Sequence, residues 1–126
     1  MTKPLALVVD DDPDIAPLVQ FALAPYAISI ESVGDGATAL MRLREHRYDL
    51  MILDLAMDGI NGFDLLLALK NELRLRGIPV IVLTASNCMQ SLARSFGYGA
   101  DDFILKPFKT SELGMRAYRL VYPLTR

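Results

Sequence analysis

The sequence predicts a doubly wound α/β fold, a (βα)5 three-layer sandwich in which helices cover both faces of a five-stranded parallel sheet. Three observations predict it. Short apolar runs alternate five times with longer amphipathic segments. Several of those runs are apolar on both faces, as strands buried in the middle of a parallel sheet are. The chain has 126 residues, 52% of them hydrophobic and 22% charged, enough for one packed domain over residues 1–126 and too apolar for disorder.

The strands come first. Leu5 to Val9, Leu50 to Leu53 and Ile78 to Leu83 (Pro79 aside) are nearly unbroken apolar runs and read as central strands. Ala27 to Val33 alternates through Ser29 and Glu31, which marks an edge strand. Phe103 to Leu105, between Asp101–Asp102 and Lys106–Pro107, is the shortest candidate.

Helical spacing fills the intervals. Asp14 to Leu23 places Ile15, Leu18, Val19 and Ala22 on one face, with Pro17 near the first turn and Asp12 or Asp14 as the cap. Gly36 to His46 turns Ala39, Leu40 and Leu43 inward, and leaves His46 in solvent at the carboxyl end. Gly62 to Arg76 is long, with Phe63, Leu66, Leu67 and Leu69 as apolar positions, and Gly77–Ile78–Pro79 ends it. Asn87 to Phe96 is shorter. Thr110 to Tyr122 closes the chain, capped by Thr110 or Ser111.

Composition excludes several classes. Thirteen basic residues against fifteen acidic ones give a net charge of −2, without the basic balance of a nucleic-acid binder. Cys88 is the single cysteine, so the chain forms no internal disulfide and has no Cys/His set for structural zinc. The amino terminus does not resemble a secretory signal, and no apolar run approaches a membrane span. The expectation is a soluble, cytoplasmic protein.

In an open α/β sheet, ligands bind outside the carboxyl ends of the strands. There the sequence delivers Asp10, Asp11 and Asp12 after the first strand, Asp54 after the third, Thr84 at the fourth and Lys106 at the fifth. Asp10, Asp11 and Asp54 together would repel one another unless a cation intervenes. Mg²⁺ suits them, since it takes a few protein oxygens and keeps waters that a phosphoryl oxygen can replace. With Lys106 as a second positive centre, Asp54 is placed to attack a phosphoryl group and become an acyl phosphate. The Thr84 hydroxyl can donate to a phosphoryl oxygen.

Four ordered motifs carry a resemblance: Val8-Val9-Asp10-Asp11-Asp12, Leu53-Asp54-Leu55-Ala56-Met57, Val82-Leu83-Thr84-Ala85 and Leu105-Lys106-Pro107-Phe108. Together they resemble the receiver domain of two-component response regulators, chemotaxis receivers among them, over nearly the whole chain. The resemblance implies the flavodoxin-like strand order 2-1-3-4-5. It implies Asp54 as phosphoacceptor, and Mg²⁺ held by Asp10 (mainly through water), Asp11, Asp54 and the Ala56 carbonyl. It further implies that Lys106 pairs with the phosphoryl group, that Thr84 moves toward it, and that Phe103 turns inward with Thr84 as an aromatic switch. The donor implied is a phosphohistidine on a sensor histidine kinase or phosphotransfer protein, and the role is phosphorelay signalling with slow self-dephosphorylation rather than turnover as an enzyme.

Some positions depart from that pattern. Met57 is followed by Asp58–Gly59 where the family usually has Pro; Asp–Gly is a good turn pair, so Asp58 reads as a solvated turn residue. Gly114, Met115 and Tyr118 make the last helix irregular. Ala56 and Ser86 are small, and since such positions in receivers influence water access, the resemblance implies a phosphoryl lifetime at the short end for the family. A rival reading is a small phosphatase with Asp10 as nucleophile in an Asp10-x-Asp12 motif, although Pro13 and Asp14 fit it poorly. Another is a receiver-like interaction module that never carries phosphate. Cys88 reads as a packing residue.

The output domain or target is not written in these residues, and the chain fits either a stand-alone receiver or one domain of a longer protein. Leu120, Val121, Tyr122 and Leu124 are apolar for a free tail. Met89, Leu92, Met115 and Arg119, on the last two helices, are candidates for partner contacts or a homodimer. No contact of this domain with nucleic acid or membrane is expected.

Overall fold

The computed structural model describes residues 3–55, 62–85 and 97–123. Its elements are β1 (Leu5–Val9), α1 (Ile15–Leu23), a 3-10 turn (Ala24–Tyr26), β2 (Ser29–Val33), α2 (Gly36–Glu45), β3 (Leu50–Leu53), α3 (Gly62–Asn71), β4 (Val80–Ala85), β5 (Asp102–Lys106) and α4 (Thr110–Val121). The strands form one parallel sheet in the order β2-β1-β3-β4-β5. The expected (βα)5 strand set and the 2-1-3-4-5 order are both present. The helix expected over Asn87 to Phe96 lies outside the described residues.

Alternation along the strands divides the core in two. Leu7, Val9, Met51, Leu53, Val80 and Val82 pack with α2 and α3, through Ala39, Leu43, Leu65, Leu66 and Leu69. Their neighbours Ala6, Val8, Leu50, Ile52, Ile81 and Leu83 face α1 and α4, through Val19, Ala22, Leu23, Leu113 and Ala117. Because a strand's period is two, a run apolar at every position can feed both layers. Burying a Leu or Ile side chain contributes about 1.5–3 kcal/mol, so these two layers dominate the stability.

Several boundaries differ from expectation for local reasons. β2 begins at Ser29 because the 3-10 turn, with Pro25 in its first turn, ends on Ala27 in the left-handed region at φ 59°. β4 begins at Val80, after Pro79, which has no N–H to give a ladder, and runs on to Ala85. α3 ends at Asn71 rather than Arg76, and turns occupy the stretch to Gly77. Leu18, expected on the buried face of α1, is 46% exposed, as is Leu67 of α3, while Leu65 is fully buried.

The caps also sort themselves out. Asp14 occupies the N-cap of α1 without a side-chain bond; instead Asp12 Oδ1 accepts the Asp14 N–H at 2.9 Å. Neither Thr110 nor Ser111 caps α4: Lys109 does so with its backbone carbonyl, which accepts the N–H groups of Glu112 and Leu113 at 3.1 Å. Asp35 caps α2 fully, accepting Thr38 N–H at 2.7 Å and the Thr38 hydroxyl at 2.9 Å. Those bonds favour its ionised form and hold its carboxyl below the usual value. His46 follows α2 and is exposed, as expected.

Candidate functional site

Strand order reverses between β2-β1 and β1-β3, so the crevice of this sheet lies at the carboxyl ends of β1 and β3. Backbone bonds carry the ladder one residue past each strand. Asp10 N–H donates to Val33 carbonyl at 3.1 Å, and Asp54 N–H to Val9 carbonyl at 2.9 Å. Both aspartates are thereby held by main chain rather than left on free loops.

Carboxylate oxygens of Asp10, Asp11 and Asp54 lie within 4.8 Å of one another. Asp54 is 7% exposed, Asp11 is open to solvent and the Asp10 side chain is nearly covered. From β5, Lys106 Nζ reaches Asp10 Oδ2 at 2.7 Å and Asp54 Oδ2 at 3.5 Å. Asp10 Oδ1 accepts the Asp12 N–H at 2.9 Å. A cavity of about 270 Å³, bounded by Asp10–Asp12, Pro13, Ser32 and Gly34, opens beside the group.

Electrostatics follow from this crowding. Burial pushes the Asp10 carboxyl above its ordinary value, against the hydrogen bonds from Lys106 and the Asp12 amide, and the nearby Asp54 charge adds to the rise. Burial acts to lower Lys106, but its bond to Asp10 and the fields of Asp54 and Asp10 outweigh this and hold the ammonium above its usual value. Three hard oxygen donors at the edge of solvent suit Mg²⁺, which keeps part of its water shell.

The β4–β5 register sets the rest. Thr84 pairs with Leu105 and Ala85 with Lys106, so the buried Thr84 stands one strand over from Lys106. Phe103, opposite Val82, is half-buried and packs against the α2–α3 layer. The Ala56 carbonyl lies outside the described residues, as do Met57, Asp58, Ser86, Cys88, Met89, Leu92 and Leu124.

One residue of the site escaped the sequence reading. A Cβ on Gly62 would fall 2.4 Å from Leu55 Cα and 2.7 Å from the Asp54 carbonyl oxygen. Gly62 N–H donates to Leu55 carbonyl at 3.1 Å. The first turn of α3 thus rests directly on the backbone that carries Asp54. Its trace in the sequence is a glycine where the helical spacing begins, which by itself reads as a helix start.

A parallel sheet in this order with acidic residues at its switch point is the arrangement expected of a receiver domain. The family model described as the response regulator receiver domain matches residues 6–118. The DNA-binding response regulator MtrA of Mycolicibacterium smegmatis is 39% identical over 110 residues, covering 87% of this chain and 47% of that protein. The heme response regulator HssR of Staphylococcus aureus is 40% identical over 110 residues, covering 87% of this chain and 48% of that protein. The chain therefore spans about half the length of the curated relatives it matches.

Solved structures agree. The receiver domain of a signal transduction histidine kinase from Syntrophus aciditrophicus superposes with TM-score 0.87 at 36% identity, covering 98% of this chain and 93% of that one. A response regulator from Chloroflexus aurantiacus gives TM-score 0.89 at 26% identity, covering 95% and 98%. The chain belongs to the response regulator receiver domain family and is a two-component signalling module. Among the described residues no helix is long and apolar enough to cross a membrane.

Proposed function

We propose that this domain accepts a phosphoryl group on Asp54 from a phosphohistidine of a sensor histidine kinase or phosphotransfer protein, in a step that depends on Mg²⁺. The observation that carries the reading is the convergence of Asp10, Asp11 and Asp54 with Lys106 at the switch point. An Asp54 carboxylate oxygen attacks phosphorus, the P–N bond to the histidine breaks, and the electron pair leaves with the imidazole, which takes up a proton. Bound Mg²⁺ supplies charge neutralisation to the transferring oxygens. It would be held by the carboxylates of Asp10, Asp11 and Asp54 together with the Ala56 carbonyl.

Lys106 provides the second positive centre, on the β5 side. Thr84 donates its hydroxyl to a phosphoryl oxygen, and Phe103 follows it inward. Water later attacks phosphorus and restores the Asp54 carboxylate, so the domain's own chemistry is limited to gaining and losing this group.

The output would pass to a further domain or a target protein in the cytoplasm, as the names of the DNA-binding relatives suggest for longer chains. Met115 and Arg119, both exposed on α4, would contribute to that surface or to a homodimer. The test uses phosphoramidate, whose P–N bond imitates phosphohistidine. Hydroxylamine-labile phosphate should form with Mg²⁺ and not in EDTA; equal labelling in both would refute the metal requirement.

A further inference from the structure

A sizeable cavity lies at the opposite pole from Asp54. It measures about 660 Å³ and opens where α2 runs into β3 and where the turns after α3 run into β4. That volume is in the range of small-molecule sites, roughly 300–1,000 Å³. One wall is apolar, made by Ile78 and Pro79 over the buried Leu43 and Leu75. Arg47 and Arg74 stand at the cavity from its two different segments, both exposed.

These two guanidinium groups differ from the other charges around them. Arg44 is committed to Glu72, which it meets through Nε at 2.8 Å and also through Nη2. Among the described residues, Arg47 and Arg74 make no hydrogen bond or salt bridge; Arg74 contributes only its field at Glu72. The cavity's two carboxylates have partners, Asp49 outside the cavity and Glu45 at His46, which also lines it. Asp49 Oδ2 accepts the Leu5 N–H at 2.9 Å, and Glu45 lies 3.9 Å from His46 Nε2. Two guanidinium groups without hydrogen-bond partners among the described residues, lining the same cavity as an apolar surface, match a ligand with a dianionic head and a carbon body, because guanidinium binds phosphate oxygens in pairs.

We infer that this cavity is a binding site for a small organic phosphate, with Arg47 and Arg74 on the phosphate and Ile78 and Pro79 against the carbon skeleton. The inference is independent of phosphorylation at Asp54, since the two sites sit at opposite ends of the strands. The anion is read by the arginines and the body by the wall, so neither half alone should bind well.

The test is amide chemical-shift titration of the isotope-labelled chain in EDTA, with phenyl phosphate, inorganic phosphate and phenol as probes. Phenyl phosphate should shift amides of residues 45–49 and 74–78, at least tenfold more tightly than inorganic phosphate or phenol. Arg47→Gln combined with Arg74→Gln should weaken it at least tenfold while leaving the remaining spectrum unchanged. Shifts centred on Asp10 and Asp54, equal affinity for all three probes, or an unaltered titration in the double variant would each overturn the proposal. Phosphorylation of Asp54 measured separately in the double variant should match the parent, so failure here is distinct from failure of the phosphoacceptor reading.

Discussion

Lys106 lies closer to Asp10 than to Asp54, with Nζ at 2.7 Å from one carboxylate and 3.5 Å from the other. The ammonium thus ties down a carboxylate that a metal ion would also use. On the proposed reading, lysine and cation would compete for Asp10 before phosphoryl transfer.

Replacing Lys106 by Met removes that competitor. Mg²⁺ should then bind several-fold more tightly, as expected from losing a partly screened ion pair of roughly 1 kcal/mol. In EDTA the same variant should be less stable by about 1–3 kcal/mol, because the covered Asp10 charge loses its partner. Calorimetric Mg²⁺ titration and urea unfolding check the two halves. Unchanged affinity together with unchanged stability would show that the contact has no energetic role.

Gly62→Ala should disturb the site without touching a charge. A methyl group 2.4 Å from Leu55 Cα and 2.7 Å from the Asp54 carbonyl meets backbone that cannot step aside cheaply. Overpacking of this kind costs about 1–3 kcal/mol. Urea unfolding should register that loss, and phosphorylation by acetyl phosphate should slow because Asp54 shifts. A variant as stable and as fast as the parent would contradict the close approach.

Gly114 sets two effects against each other. Glycine in a helix interior costs about 1 kcal/mol relative to alanine, so Gly114→Ala would stabilise an open helix face. Here the new Cβ would sit 2.5 Å from Ala22 carbonyl oxygen and 2.8 Å from Tyr26 Cε2, where α4 crosses α1. The clash should win, with net destabilisation of about 1–2 kcal/mol in thermal or urea unfolding.

Tyr48 gives the pH dependence. Its hydroxyl donates to Glu31 Oε1 at 2.7 Å in a largely buried setting. Burial, reinforced by that bond and by the Glu31 charge, pushes the phenol up to about 12. A raised folded value means the protonated form is favoured in the fold. The contribution is fully present below the ordinary value of 10 and is lost as pH rises through 12. Absorbance titration should show a late phenol that disappears in Tyr48→Phe, and the variant's stability should depend less on pH between those limits.

The parts of this molecule that could be read in its sequence are those where one residue type signals one local environment. β1 and β3 match their apolar runs because a both-faces-buried strand leaves no other pattern. Asp10, Asp54, Thr84 and Lys106 were legible because each ends or closes such a run. Leu18 and Leu67 misled, since helical spacing marks an apolar stripe without saying how far the neighbouring helix covers it. α3 misled in the same way: Leu73 continues the apolar spacing past Asn71 yet is 74% exposed in the following turns. Gly62, Gly114 and the Tyr48–Glu31 bond depend on which segments meet in space, and no local pattern reports that.

Asp54 is the residue proposed to carry the phosphoryl group. The most direct test is the intact mass of the chain after incubation with acetyl phosphate and Mg²⁺, beside Asp54→Asn and Asp10→Asn. Acyl phosphate formation adds one phosphoryl group, about 80 Da, to the parent. That adduct should be absent from Asp54→Asn. An adduct that persists in Asp54→Asn but vanishes in Asp10→Asn would move the nucleophile to Asp10 and contradict the assignment made here.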